Sequence, residues 1–117
     1  MPVIDFIGTE GITVGDGYSA ARGVFMTGER IEFVAASFAA GTGAVRHHHP
    51  HEQMAYVASG RFRVTIGDET FELTACQGWH APPNVPHQVD AIEDSVMITG
   101  KNLIDREAHM AAPTRDS

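Results

Sequence analysis

Gly41-Thr42-Gly43-Ala44-Val45-Arg46-His47-His48-His49-Pro50-His51-Glu52-Gln53 is the most telling segment of this chain, and Asn84-Val85-Pro86-His87 answers it far downstream. Neutral imidazoles are the commonest side-chain metal ligands. His47 and His49 are two apart, which in a β-strand places both rings on one face, able to share one ion. A helix would need a spacing of three or four, and Pro50 disfavours the α region at His49. Gln53, four residues on, and His87, at the end of another strand, would complete a four-ligand site on a β scaffold.

The rest of the chain suits such a scaffold. Its 117 residues fit one compact domain, 1–117, with an ordinary hydrophobic fraction. A net charge of −7 disfavours phosphate backbones and anionic membranes, so neither nucleic acid nor membrane is expected as a partner. The single cysteine, Cys76, excludes an internal disulfide and points to a reducing, cytoplasmic setting. Met1-Pro2-Val3-Ile4-Asp5 has neither the basic nor the apolar region of a signal peptide, and no apolar run approaches the ~20 residues of a bilayer span.

Short Val-, Ile- and Phe-rich segments alternate with glycine. Val24-Phe25-Met26, a turn at Thr27-Gly28-Glu29-Arg30, and a strand from Ile31 to Phe38 come first. Phe62, Val64 and Ile66 alternate with Arg61, Arg63 and Thr65, a period of two. Gly67-Asp68 predicts a hairpin turn, after which Phe71 and Leu73 resume the alternation. Trp79 to Ala81, Gln88 to Ala91 and Val96 to Lys101 read as further strands, and Asp105 to Ala112 as a short helix. Many short strands at regular spacing predict an all-β sandwich or barrel.

These residues resemble the cupin superfamily. Its first motif is matched at 41–60 by Gly41, five residues, His47-x-His49, three residues, Gln53 in place of the usual glutamate, six residues and Gly60. Its second is matched at 76–91, with Cys76 and Asn84 where the motif has glycines, Pro82 and His87 in place, and Ala91 where it has asparagine. The resemblance implies a double-sheet jelly-roll barrel. Within the superfamily, His49-Pro50-His51-Glu52-Gln53, Tyr56-Val57, Asn84-Val85-Pro86-His87 and Glu93-Asp94-Ser95 look like the pectin-degradation cupins, which linearise unsaturated uronates. That likeness implies a metal on His47, His49, Gln53 and His87. The family's catalytic aspartate and the phenylalanine after it correspond to Thr99 and Lys101 here, and its arginine matches Arg106 only with a shift of one residue.

Three imidazoles and an amide would leave the charge of a divalent ion (Zn, Ni, Fe or Mn) uncompensated, which strengthens its Lewis acidity. That favours isomerase, lyase or cyclase chemistry on a small polar carbonyl or sugar-acid-like substrate over oxygen activation. Strand parity puts Met97, Thr99 and Lys101 on one face, Lys101 and Thr99 as catalytic candidates and Met97 as a substrate-binding one, with Lys101 or water held at the ion moving the proton. Lys101 could equally anchor a substrate carboxylate; Tyr56, His80 and Arg22 are further substrate-binding candidates. An iron-dependent dioxygenase and a non-enzymatic metal or ligand-binding module are the alternatives. A homodimer is expected, with Val3-Ile4-Phe6-Ile7 suited to pairing N-terminal strands. Phe62-Val64-Ile66 is expected as core. His48 and His51 are expected in solvent, with contact to the metal-binding side chains as the alternative; His109, Arg61 and Arg63 are expected in solvent, and Cys76 as a small buried residue at a turn.

Overall fold

The computed structural model describes residues 3–7, 10–13, 19–103 and 114–115. Its strands are β1 (Ile12–Thr13), β2 (Arg22–Thr27), β3 (Ile31–Phe38), β4 (Gly43–His48), β5 (Gln53–Ser59), β6 (Arg61–Ile66), β7 (Glu69–Thr74), β8 (Gly78–Ala81), β9 (His87–Ala91), β10 (Ser95–Asn102) and β11 (Thr114–Arg115). They form two antiparallel sheets, ordered β1-β2-β3-β10-β5-β8 and β11-β4-β9-β6-β7, a jelly roll. No helix among the described residues is long and apolar enough to cross a membrane. The helix expected over Asp105 to Ala112 lies outside the described residues.

The period-two pattern of β6 does what alternation dictates. Phe62 and Val64 are wholly buried, while Arg61 and Arg63 face solvent. Phe62 meets Phe38 edge-to-face, with centroids 5.5 Å apart, and Val34, Val57, Val89 and Met97 close the core between the sheets. The alternation of β7 continues in sequence but not in burial. β7 is the edge of its sheet, and Phe71 stays 42% exposed.

Two departures from the glycine positions of the motifs have a backbone consequence. Cys76 and Asn84 both adopt left-handed conformations, with φ of 72° and 62°. Asparagine tolerates that region; cysteine has no such aptitude, and a left-handed non-glycine residue costs roughly 1–2 kcal/mol. Cys76 sits at a turn, as expected, but is exposed rather than buried, because this turn follows the edge strand β7.

Candidate metal site

Cross-sheet pairing assembles the site. His47, near the end of β4, is the direct partner of His87, the first residue of β9, past a register shift between Ala44 and His47. His49 follows β4 by one residue, where the chain bends at Pro50, and Gln53 opens β5 in the opposite sheet. All four side chains are buried. The ring centroids of His47 and His87 are 4.4 Å apart, those of His49 and His87 4.9 Å, and those of His47 and His49 5.5 Å. One ring nitrogen from each of the three histidines lies within 4.8 Å of the others.

Each ring is oriented by its own backbone. Nδ1 of His47 donates to the carbonyl of Val45 at 2.6 Å, Nδ1 of His49 to that of His51 at 3.0 Å, and Nδ1 of His87 to that of Val85 at 2.9 Å. These bonds place the proton on Nδ1 and leave the lone pair on Nε2. Nε2 of His49 faces Oε1 of Gln53 at 3.1 Å, and Nε2 of His87 is buried with no hydrogen-bond partner. An imidazole lone pair and an amide oxygen so close lack a proton between them, an arrangement that a shared cation would satisfy. Burial, reinforced by the charge of Lys101, lowers His49 from 6.5 to about 4; burial also lowers His87 to about 4. Both rings are therefore neutral donors at pH 7, as ligation requires. The histidine cluster could hold a divalent ion.

The facing wall is β10. Met97 and Thr99 are buried, and Lys101, half-buried, continues the same inward face. Lys101 pairs with Glu32 on one side and Gln53 on the other, so the inward row reads Thr27, Glu32, Lys101, Gln53. Burial pushes the Lys101 ammonium down from its ordinary value, and Glu32 opposes the shift. Glu32 is 7% exposed and accepts a 2.7 Å hydrogen bond from the Thr27 hydroxyl. It escaped the sequence reading, although the parity of Ile31–Phe38 carries the signal: Glu32 shares the face of Val34, Ala36 and Phe38.

Other candidates lie elsewhere. Tyr56 and His80 are exposed on the outer face of the six-stranded sheet, where Tyr56 Oη donates to Cys76 Sγ at 3.2 Å and His80 Nε2 lies 2.7 Å from Glu52 Oε2. The Arg22 guanidinium is exposed and donates to the carbonyl of Gly11. His51 is buried rather than solvated, because its carbonyl anchors His49 and its ring packs against that of His49 at 5.5 Å. His48 is half-buried, and Arg106 and His109 lie outside the described residues.

Comparison with known proteins bears on the fold and the family. A 47-residue stretch, 39% of the chain, is 43% identical to the H2HPP isomerase of Bacillus subtilis but spans only 20% of that protein's length. The fold matches KdgF from Halomonas sp. with a TM-score of 0.75 at 24% identity, over 87% of this chain and 96% of that one. It matches a predicted oxalate decarboxylase from Thermotoga maritima with a TM-score of 0.76 at 10% identity, over 87% and 99%. At such identities these likenesses are of fold. The Cupin domain family model matches residues 35–99, more than half the chain and the part that contains His47, His49, Gln53 and His87, so this protein belongs to the cupin domain family.

Proposed function

We propose that this cupin is a metal-dependent, non-redox enzyme of the isomerase or lyase type, acting on a small carbonyl compound that resembles a sugar acid. The observation that carries the reading is the donor set: a ring nitrogen from each of His47, His49 and His87 within 4.8 Å of the others, and the Gln53 oxygen beside His49 Nε2, with Lys101 paired to Gln53. A divalent ion bound there would polarise a substrate oxygen with no ligand carboxylate to dilute its charge. Burial biases Lys101 towards its neutral form, which can accept a proton from the polarised substrate, or, when charged, anchor its carboxylate. Thr99 offers a hydroxyl one turn of the pleat away, and Met97 seals the wall against water. Glu32 pairs with Lys101 on its far side, and its charge favours the protonated ammonium. The isomerase among the similar proteins, and KdgF, support this class of chemistry.

The test begins with elemental analysis of untagged wild type and Gln53→Ala. Near one divalent ion per chain, falling sharply in the variant, is expected. The loaded protein is then given an unsaturated uronate, with product and dissolved oxygen followed together. Turnover without oxygen uptake supports the proposal. Oxygen uptake would instead establish the dioxygenase reading, and failure to bind any divalent ion would sink both.

A further inference from the structure

Glu32 is an unusual residue to find on the inner face of a strand. β3 otherwise presents Val34, Ala36 and Phe38 to the barrel, and the neighbouring inward row of this sheet reads Phe25, Val34, Thr99, Ala55. Charge enters the face in one row, where Glu32 lies between Thr27 and Lys101, with Gln53 beyond Lys101. Stability does not account for it. A buried acid–base pair is often no more stabilising than apolar side chains of the same volume, because both charges lose their hydration.

Position does account for it. Neighbouring strands lie about 4.8 Å apart, so Lys101 on β10 is one strand spacing from Gln53 on β5, and Glu32 on β3 is two. The charge of Lys101 reaches His49 and His87, and that of Glu32 reaches Lys101. The row thus runs away from the histidine cluster as amide, cation, anion. The Thr27 hydroxyl donates to Glu32 Oε2 at 2.7 Å from the far strand, which orients the carboxylate without exhausting it, since a carboxylate accepts at several lone-pair sites. An oxygen anion held at the histidines meets Lys101 beside it. The group one strand spacing further along the same molecule meets Glu32. A hydroxyl or ammonium there donates a charge-assisted hydrogen bond, whereas a second carboxylate meets like charge in a poorly hydrated site.

We infer that Glu32 is a specificity-determining residue: it takes a hydrogen-bond donor at the far end of the substrate and turns away a second carboxylate, so the site accepts hydroxy or amino monocarboxylates and refuses dicarboxylates of the same length. The inference rests on the metal-dependent reading above and extends it to the end of the substrate that does not react. Lys101 attracts the anion, and Glu32 limits the number of anions to one.

Calorimetric titration of the zinc-loaded chain with 4-hydroxybutyrate, 4-aminobutyrate and succinate tests it, because these acids differ only in the group at the fourth carbon. Zinc uptake is measured first. Near one ion per chain upholds the metal reading whatever follows; no uptake overturns that reading and this inference together. Wild type should bind 4-hydroxybutyrate and 4-aminobutyrate at least about tenfold more tightly than succinate. In Glu32→Gln, which keeps the shape and still accepts from Thr27, succinate should gain at least about tenfold and 4-aminobutyrate should lose as much. A purely structural Glu32 would weaken all three acids together. The wild-type preference needs no variant to fold. With zinc bound, equal binding of the three acids by wild type, binding of none, or an unchanged preference in Glu32→Gln would overturn the inference and leave the metal reading standing.

Discussion

Acidifying the metal-free protein from pH 8 to pH 5 should remove about 4 kcal/mol of its stability through two histidines. His49 and His87 titrate at about 4 in the fold, against an ordinary 6.5. Above about pH 7.5 neither ring is charged in either state, and stability is at its plateau. Between about 7.5 and 4 the unfolded chain takes up two protons that the buried rings refuse, so stability falls as pH drops, by up to about 1.4 kcal/mol per unit per ring. Below 4 both states are protonated and this loss ends. The interval from 8 to 5 is informative because most carboxylates still stay ionised there. Each ring then contributes about 2 kcal/mol, a large share of the 5–15 kcal/mol that holds a typical domain together. Urea titrations followed by fluorescence of the single tryptophan, Trp79, in the presence of a chelator, give the curve. A His49→Gln/His87→Gln variant should lose most of the slope. A flat wild-type curve to pH 5, or the same slope in the variant, would refute the idea that these rings are held neutral by burial.

Replacing Lys101 with Met removes a charge that depresses both rings. Its acid slope between pH 6.5 and 5 should be shallower than that of wild type, and its zinc affinity should rise by on the order of 1 kcal/mol in a competition titration as cation repulsion is relieved. Cys76→Gly should raise stability by about 1 kcal/mol, read as an increase of several degrees in Tm, because glycine accepts the left-handed backbone at this turn; an unchanged or lower Tm would place the strain elsewhere.

Much of the architecture was legible because period-two patterning and burial report the same thing. β3 runs over the expected Ile31–Phe38, and Phe62 and Val64 occupy the core that their alternation implies. The histidine cluster was legible for a related reason: a two-residue spacing on an extended chain has few other outcomes. The misreadings arose where facing depends on neighbours. His51 is buried through its tie to His49, a loop geometry with no periodic signature, whereas Cys76 is exposed because the strand before it lies at a sheet edge. Tyr56 and His80 face outward because Gln53 and Trp79 fix the opposite parity in β5 and β8. Glu32 was missed although its parity was available, since a charged residue at a strand end is ordinarily solvated.

The position of β10 between β3 and β5 bears on the order in which this molecule can be made. β10 is the penultimate strand among the described residues, yet it is the partner that joins two early ones. During synthesis, β3 and β5 must therefore wait, with their edges unsatisfied, until residues near 100 have emerged. His47 likewise has no cross-strand partner until His87 arrives with β9. Such non-local closure belongs to slowly folding topologies, with times of milliseconds to seconds. The histidine cluster is thus a product of nearly complete folding rather than a template for it. Metal should accelerate neither collapse nor early pairing, but should slow unfolding by tying β4, β5 and β9 together once they have met.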